Sequence, residues 1–236
     1  MLEEFQIEKI LFLDIETVPQ YPCYEDQPER IKNLWNKKGK LLASSDNDTP
    51  ESLYPRAGIY AEFGKIICIS VAYLHNDQLR VKSFFGEDEK LLLVDFANLL
   101  QKFFNTNEHL LCGHNAKEFD FPYIARRMLI NKIKIPKILD VAGKKPWEVN
   151  HLDTMQLWKF GDYKNYTSLE LLSSLFDIPT PKDDIDGSMV WEVYWKDKNL
   201  NRIREYCEKD TITVVRLFQS FRGEEFVKED SIFYQP

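Results

Sequence analysis

Asp14 and Glu16 stand two residues apart in the stretch Lys9-Ile10-Leu11-Phe12-Leu13-Asp14-Ile15-Glu16-Thr17. The unbroken apolar run from Ile10 to Leu13 reads as a central strand covered on both faces. Side chains alternate along a strand, so the two carboxylates point the same way. Like charges at the end of a buried strand repel each other and resist desolvation. A divalent cation is the usual compensation, and metal-assisted chemistry is the expectation this strand sets up.

Two more carboxylates stand where such a site could use them. The stretch Leu200 to Phe221 reads as one long helix with an apolar stripe of Ile203, Tyr206, Cys207, Val214, Leu217 and Phe218. Asp210 falls inside that stripe, four residues after Tyr206 and four before Val214. A carboxylate on the core-facing side of a helix needs a partner, and Arg126 or Arg127 would serve as well as a metal. Asp120 stands just before Phe121-Pro122, where an Asp is ordinarily a helix N-cap worth about 1 kcal/mol. Asn115, on the loop leaving a buried strand, could likewise be a plain turn residue. The metal reading rests on the set rather than on any one member.

The elements that must position these residues alternate between strand and helix. Lys65 to Tyr73, a turn at His75-Asn76-Asp77, and Leu79 to Phe85 read as a hairpin. Glu89 to Phe104 is an amphipathic helix, and His109 to Cys112 a short buried strand. Gly113-His114-Asn115 breaks that strand, and a helix opens near Phe119 and runs to about Ile130, with Pro122 in its first turn. A basic connection, Lys132 to Pro146, leads to a strand end at His151-Leu152-Asp153. Ser168 caps a short helix whose apolar face is completed by Leu175 and Phe176. Pro179-Thr180-Pro181 reads as a rigid turn, and Val190, Val193 and Tyr194 mark a further segment. Between the first strand and the hairpin, residues 20–62 are rich in proline and charge and read as an insertion over the sheet, not a separate domain. It holds a helix within Pro28 to Leu42, with Ile31, Leu34 and Trp35 on one face. Its Lys37, Lys38 and Lys40 could meet phosphates, but a solvated face explains them more simply.

With 236 residues and 29% charged content, the sequence fits one α/β domain. The net charge of −7 offers no global basic field for tight duplex binding. It does not exclude an enzyme that grips a few phosphates through metal ions, because clustered acids themselves lower the total. Cys23, Cys68, Cys112 and Cys207 include no CxxC pair and read as reduced thiols, mostly buried. The start of the chain is acidic, and no apolar run approaches the roughly 20 residues that span a bilayer. A cytoplasmic protein without a membrane partner is expected.

Three stretches together carry a resemblance. Phe12-Leu13-Asp14-Ile15-Glu16-Thr17, Gly113-His114-Asn115-Ala116-Lys117-Glu118-Phe119-Asp120 and Tyr206-Cys207-Glu208-Lys209-Asp210 resemble, in order and separation, the motifs of the DEDD 3′–5′ exonucleases. Ala61-Glu62-Phe63-Gly64-Lys65-Ile66 and Asp186-Gly187-Ser188 are similar to a subgroup related to the proofreading domain of family-B DNA polymerases. The resemblance runs from Leu11 to about Leu217. It implies a ribonuclease H-like fold with a central mixed sheet flanked by helices. Asp14, Glu16, Asp120 and Asp210 are then the ligands of two Mg²⁺ or Mn²⁺ ions about 4 Å apart, with Asp14 shared. Glu16 and Asp210 complete the position that activates water, and Asp120 holds the second ion directly or through water. Tyr206 places the chain with the tyrosine class and its hydroxyl would orient the attacking water. A phenol of pKa ~10 is a poor base at neutral pH.

The implied reaction is release of nucleotides from the 3′ end of single-stranded DNA, with RNA trimming as the alternative. Thr17, Asn115 and Phe119 are the expected substrate contacts, Phe119 by sequence-tolerant stacking unless it is a core residue. His114 reads as a satisfied turn residue. Asp153 reads as structural rather than as a fifth carboxylate of the site. Because no polymerase segment follows the last motif, a stand-alone trimming enzyme is expected. A haloacid-dehalogenase-type phosphatase is disfavoured by Glu16, where a second Asp would be needed. A catalytically inactive binding module would be expected to have lost at least one carboxylate, and none is missing.

Overall fold

The computed structural model describes residues 2–162, 166–179 and 185–236. Thr180 and Pro181 of the expected rigid turn lie outside the described residues. Six strands form one mixed sheet: β1 Ile10–Pro19, β2 Gly64–His75, β3 Gln78–Phe85, β4 Leu110–Gly113, β5 Leu152–Asp153 and β6 Ile232–Gln235. Their order is β5-β4-β1-β2-β3-β6. β1, β2 and β3 run antiparallel in sequence, while β4 lies parallel to β1 and β5 parallel to β4. The β2–β3 turn has positive φ at both Asn76 (51°) and Asp77 (60°), the geometry of a tight hairpin turn whose twist matches its strands. The expected α/β architecture is borne out.

Helices cover both faces: α1 Glu29–Leu42, α2 Glu89–Phe103, α3 Asp120–Ile130, α4 Thr154–Trp158, α5 Leu169–Leu175, α6 Val190–Trp195 and α7 Leu200–Arg222. Leu11, Leu13 and Ile15 of β1 face a core shared with α2 and α3. Ile10 and Phe12 face the opposite core, against Val214, Val215 and Phe218 of α7. Continuing that alternation, Asp14 and Glu16 emerge on the α7 side, at the point where the apolar filling ends. No helix among the described residues is long and apolar enough to cross a membrane.

Three local details go beyond the sequence reading. Asp120 is the first residue of α3, not its N-cap; Phe119 occupies the cap position and no side chain caps it. In α1 it is Trp35 that is fully buried, whereas Leu34 is 45% exposed, because α1 packs through one narrow seam. β6 was not anticipated; its short segment after α7 pairs with the edge of β3 and has exposed Phe233 and Tyr234.

Residues 20–62 build a satellite core in which Trp35 packs with Leu53, Tyr54 and Ala57. The Trp35 indole donates to the Pro50 carbonyl at 2.7 Å. Gly58 fastens this segment to the sheet. A Cβ there would stand 3.0 Å from the Val18 backbone, and its carbonyl accepts the Tyr123 hydroxyl at 2.7 Å.

Candidate active site

Three elements converge on the end of β1. β4 runs beside it and stops at Gly113, where a Cβ would lie 2.5 Å from the Ala116 Cβ and 2.9 Å from the Leu13 carbonyl. Only glycine lets the chain turn away this close to β1. Asn115 then takes a left-handed conformation (φ 61°), and α3 begins at Asp120, whose side chain is buried. Asp153 holds this loop in place. Its Oδ1 accepts from the Asn115 amide and its Oδ2 from the Lys117 amide, both at 3.0 Å, and Oδ1 also accepts from the Met155 amide. Asp153 is thus structural, as expected. His114 is a satisfied turn residue, bonded to Thr154 Oγ1 and the Thr167 carbonyl, each at 2.9 Å.

From the other side comes α7, capped by Asn199, whose Oδ1 accepts from the Arg202 amide, and closed by Gly223 in the left-handed region. This long helix lays Tyr206, Cys207 and Asp210 over β1. The Cys207 thiol donates to Asp14 Oδ2 at 3.4 Å. Cys68 stands opposite Glu16 on β2, with a register shift just beyond.

The electrostatics join the carboxylates into one set. Burial, then the charges of Asp120 and Asp210, push the Asp14 carboxyl well above its usual range. Burial, then Asp14 and Asp210, do the same to Glu16. Burial raises Asp120 to about 7; backbone amides hold it down and Asp153 pushes it further up. Burial, then Asp210, Glu16 and Asp14, drive the Tyr206 phenol far above its ordinary value.

Glu16 is 7% exposed, and its side chain makes no hydrogen bond or ion pair with a described residue. A buried carboxylate in a field of like charges calls for a cation. Arg127, one of the two cations weighed for Asp210, is committed elsewhere: its Nε and Nη2 donate to Glu89 at 2.8 and 2.5 Å. Arg126 is exposed. Donor atoms of Asp14, Glu16 and Cys207 lie within 4.8 Å of one another, so the cluster fits a divalent ion. Cys207 as a neighbour of the carboxylates went unread in the sequence, where it counted only as part of the apolar stripe. Its place three residues before Asp210 on the same helical face was the available signal.

The expected substrate contacts fall in different settings. Asn115 Oδ1 is a buried acceptor with no partner among the described residues. Phe119 is half-buried, its ring 5.4 Å from that of Tyr123. The Thr17 side chain meets the Tyr123 phenol on the face away from Glu16. In the inserted segment Lys38 lies over the Tyr60 ring at 4.4 Å, while Lys37 and Lys40 are exposed.

A family model described as "Predicted 3'-5' exonuclease related to the exonuclease domain of PolB" matches residues 59–225. The chain belongs to this family. Asp120, Tyr206 and Asp210 fall inside the match; Asp14 and Glu16, on β1, precede it. Among solved structures, this family member is similar to the family B DNA polymerase from the hyperthermophilic archaeon Pyrobaculum calidifontis, with a TM-score of 0.54 and 14% identity. The likeness covers 90% of this chain and 24% of that one, and it concerns the fold alone. With the mixed sheet, it bears out the ribonuclease H-like arrangement. No curated protein matches the sequence.

Proposed function

We propose that the protein is a metal-dependent 3′–5′ exonuclease that hydrolyses phosphodiester bonds from the 3′ end of single-stranded DNA. We read the chain as one domain with residues 20–62 inserted. The observation that carries the functional reading is Glu16, buried, without a partner among the described residues, and set among three other carboxylates of raised pKa or mutual repulsion. Asp14, Glu16, Asp120 and Asp210 would hold two Mg²⁺ or Mn²⁺ ions through hard oxygen ligands. Bound there, the ions supply activation of the attacking water and stabilisation of the leaving 3′ oxygen.

The remaining work falls to the chain's own groups. Tyr206 keeps its proton through the physiological range, since burial and then the Asp210, Glu16 and Asp14 charges oppose the phenolate. It therefore orients water by hydrogen bonding and does not act as a base. The unpaired Asn115 Oδ1 suits a donor on the terminal nucleotide, such as its 3′-hydroxyl. Phe119, at the N-terminus of α3, offers part of a ring to a base. Asp153 holds the loop that carries Asn115.

The test uses oligonucleotides labelled at the 3′ or the 5′ end, as DNA and as RNA, with Mg²⁺, Mn²⁺ or EDTA. The expected result is immediate loss of the 3′ label as mononucleotide, gradual shortening of the 5′-labelled strand, and silence in EDTA. Faster release from RNA would move the reading to RNA trimming; no release from either would end it.

A further inference from the structure

Cys207 is completely buried on α7. Its Sγ lies 3.4 Å from Asp14 Oδ2 and 3.4 Å from the Asp14 carbonyl. That sulfur and one oxygen each of Asp14 and Glu16 lie within 4.8 Å of one another. The Glu16 side chain, on a residue 7% exposed, has no hydrogen bond or ion pair with a described residue. Around a tetrahedral zinc ion, sulfur at about 2.3 Å and oxygen at about 2.0–2.2 Å stand roughly 3.5 Å apart. The Cys207–Asp14 pair already has that separation. Magnesium takes oxygen donors, whereas a thiolate selects borderline and soft ions.

We infer that Asp14, Glu16 and Cys207 form a site for zinc or another thiophilic divalent ion, separate in donor set from the oxygen-only centre. The inference rests on the reading of Asp14 and Glu16 as ligands of that centre. The ion replaces the Cys207 thiol proton, which passes to solvent, and with it the thiol's hydrogen bond to Asp14. Three protein ligands leave a fourth position open. Asp14 and Glu16 serve both sets, so zinc bound here withdraws them from the exonuclease centre and inhibits. Cys68 is not one of the three grouped donors; its thiol adjoins the site, hydrogen-bonded to Cys207 and 3.7 Å from Ser70 Oγ.

X-ray absorption of the reduced, zinc-loaded wild-type protein tests this without reference to activity. One sulfur neighbour at about 2.3 Å is expected; a shell of oxygen and nitrogen alone overturns the inference. Cobalt loading adds a second reading. A thiolate-to-metal charge-transfer band is expected in the wild type and in Cys68→Ser, and its loss is expected in Cys207→Ser. A band that survives Cys207→Ser overturns the assignment, and the absorption measurement stands even if that variant fails to fold. Mn²⁺-dependent 3′-end release is measured on the same wild-type protein. Release without sulfur at zinc refutes this inference alone; sulfur at zinc without release upholds the zinc site, refutes the exonuclease reading and removes the inhibition that depends on it.

Discussion

Glu16 and Glu89 are buried to nearly the same depth, 7% and 8% exposed, on opposite faces of one sheet. Glu89 Oε1 accepts from the Ile66 amide at 2.7 Å and from Arg127 Nε at 2.8 Å. Its Oε2 accepts from Arg127 Nη2 at 2.5 Å and Asn131 Nδ2 at 2.9 Å. Arg127 spends its remaining nitrogen on the Ala61 carbonyl at 2.8 Å. Glu16 makes none of these bonds and faces Asp14 and Asp210 instead of an arginine. Depth of burial therefore does not separate a structural acid from a site acid. The completeness of its partners does: the first is finished by protein atoms, while the second is left for something the chain does not contain.

The comparison breaks most visibly in activity. Asp14→Ala or Asp210→Ala should lower Mn²⁺-dependent 3′-end release by about a thousandfold or more, the loss expected when several kcal/mol of metal-borne stabilisation goes. Both variants should stay folded by circular dichroism, and normal turnover in either would remove the site assignment. Arg127→Ala should do the converse. Leaving Glu89 buried and unpaired should cost about 3–5 kcal/mol in urea unfolding, with activity per folded molecule retained. Equal stability losses in Asp14→Ala and Arg127→Ala would erase the distinction between the two acids.

Smaller effects sharpen it. Mn²⁺ at a hundredfold excess over its dissociation constant should stabilise the protein by about 2.7 kcal/mol, a rise of several degrees in Tm. Asp14→Asn should stabilise the metal-free protein by about 1 kcal/mol, by removing one repelling charge. The same variant should lose most of the Mn²⁺ response, and differential scanning calorimetry reads both.

The last effect is in pH. Asp120 holds its proton up to about 7 in the folded chain, against 3.8 ordinarily. The stability that protonation contributes is full below about 4 and is lost as pH rises through 7. Metal-free Asp120→Asn should thus be the more stable protein at about pH 8, and its advantage should vanish toward about pH 5. His151 runs the other way: burial lowers its imidazole from 6.5 to about 4, so its contribution is present above 6.5 and lost as pH falls. His151 is common to both proteins and drops out of the difference, which reports Asp120 together with its charge on Asp14 and Glu16. A difference that stays flat with pH would count against a raised Asp120.

Much of this is legible in the sequence. The run Ile10 to Leu13 announced a central strand because a strand buried on both faces has no polar side. Two-residue alternation put Asp14 and Glu16 together, and helical spacing put Tyr206 and Asp210 on one face of α7. These are local periodicities, which a sequence carries directly. Asp120 was ambiguous, because an Asp before a helix looks alike whether it caps the helix or enters a site. Its burial and its position one residue inside α3 come from Gly113 and Asp153 shaping the preceding loop. Trp35, not Leu34, became the anchor of the inserted segment for a similar reason: both sit on the apolar side, and only the neighbours choose between them.

The sequence by itself thus determined which acids exist, which pairs share a face, and that β1 and α7 are core elements. Tertiary structure alone decided that Glu89 is completed by Arg127 while Glu16 is completed by no described residue, and that Cys207 lies against Asp14. The physical reason is that satisfaction of a buried charge depends on atoms brought in from distant segments: residue 127 for residue 89, residue 207 for residue 14. Periodicity within one segment carries no information about those meetings.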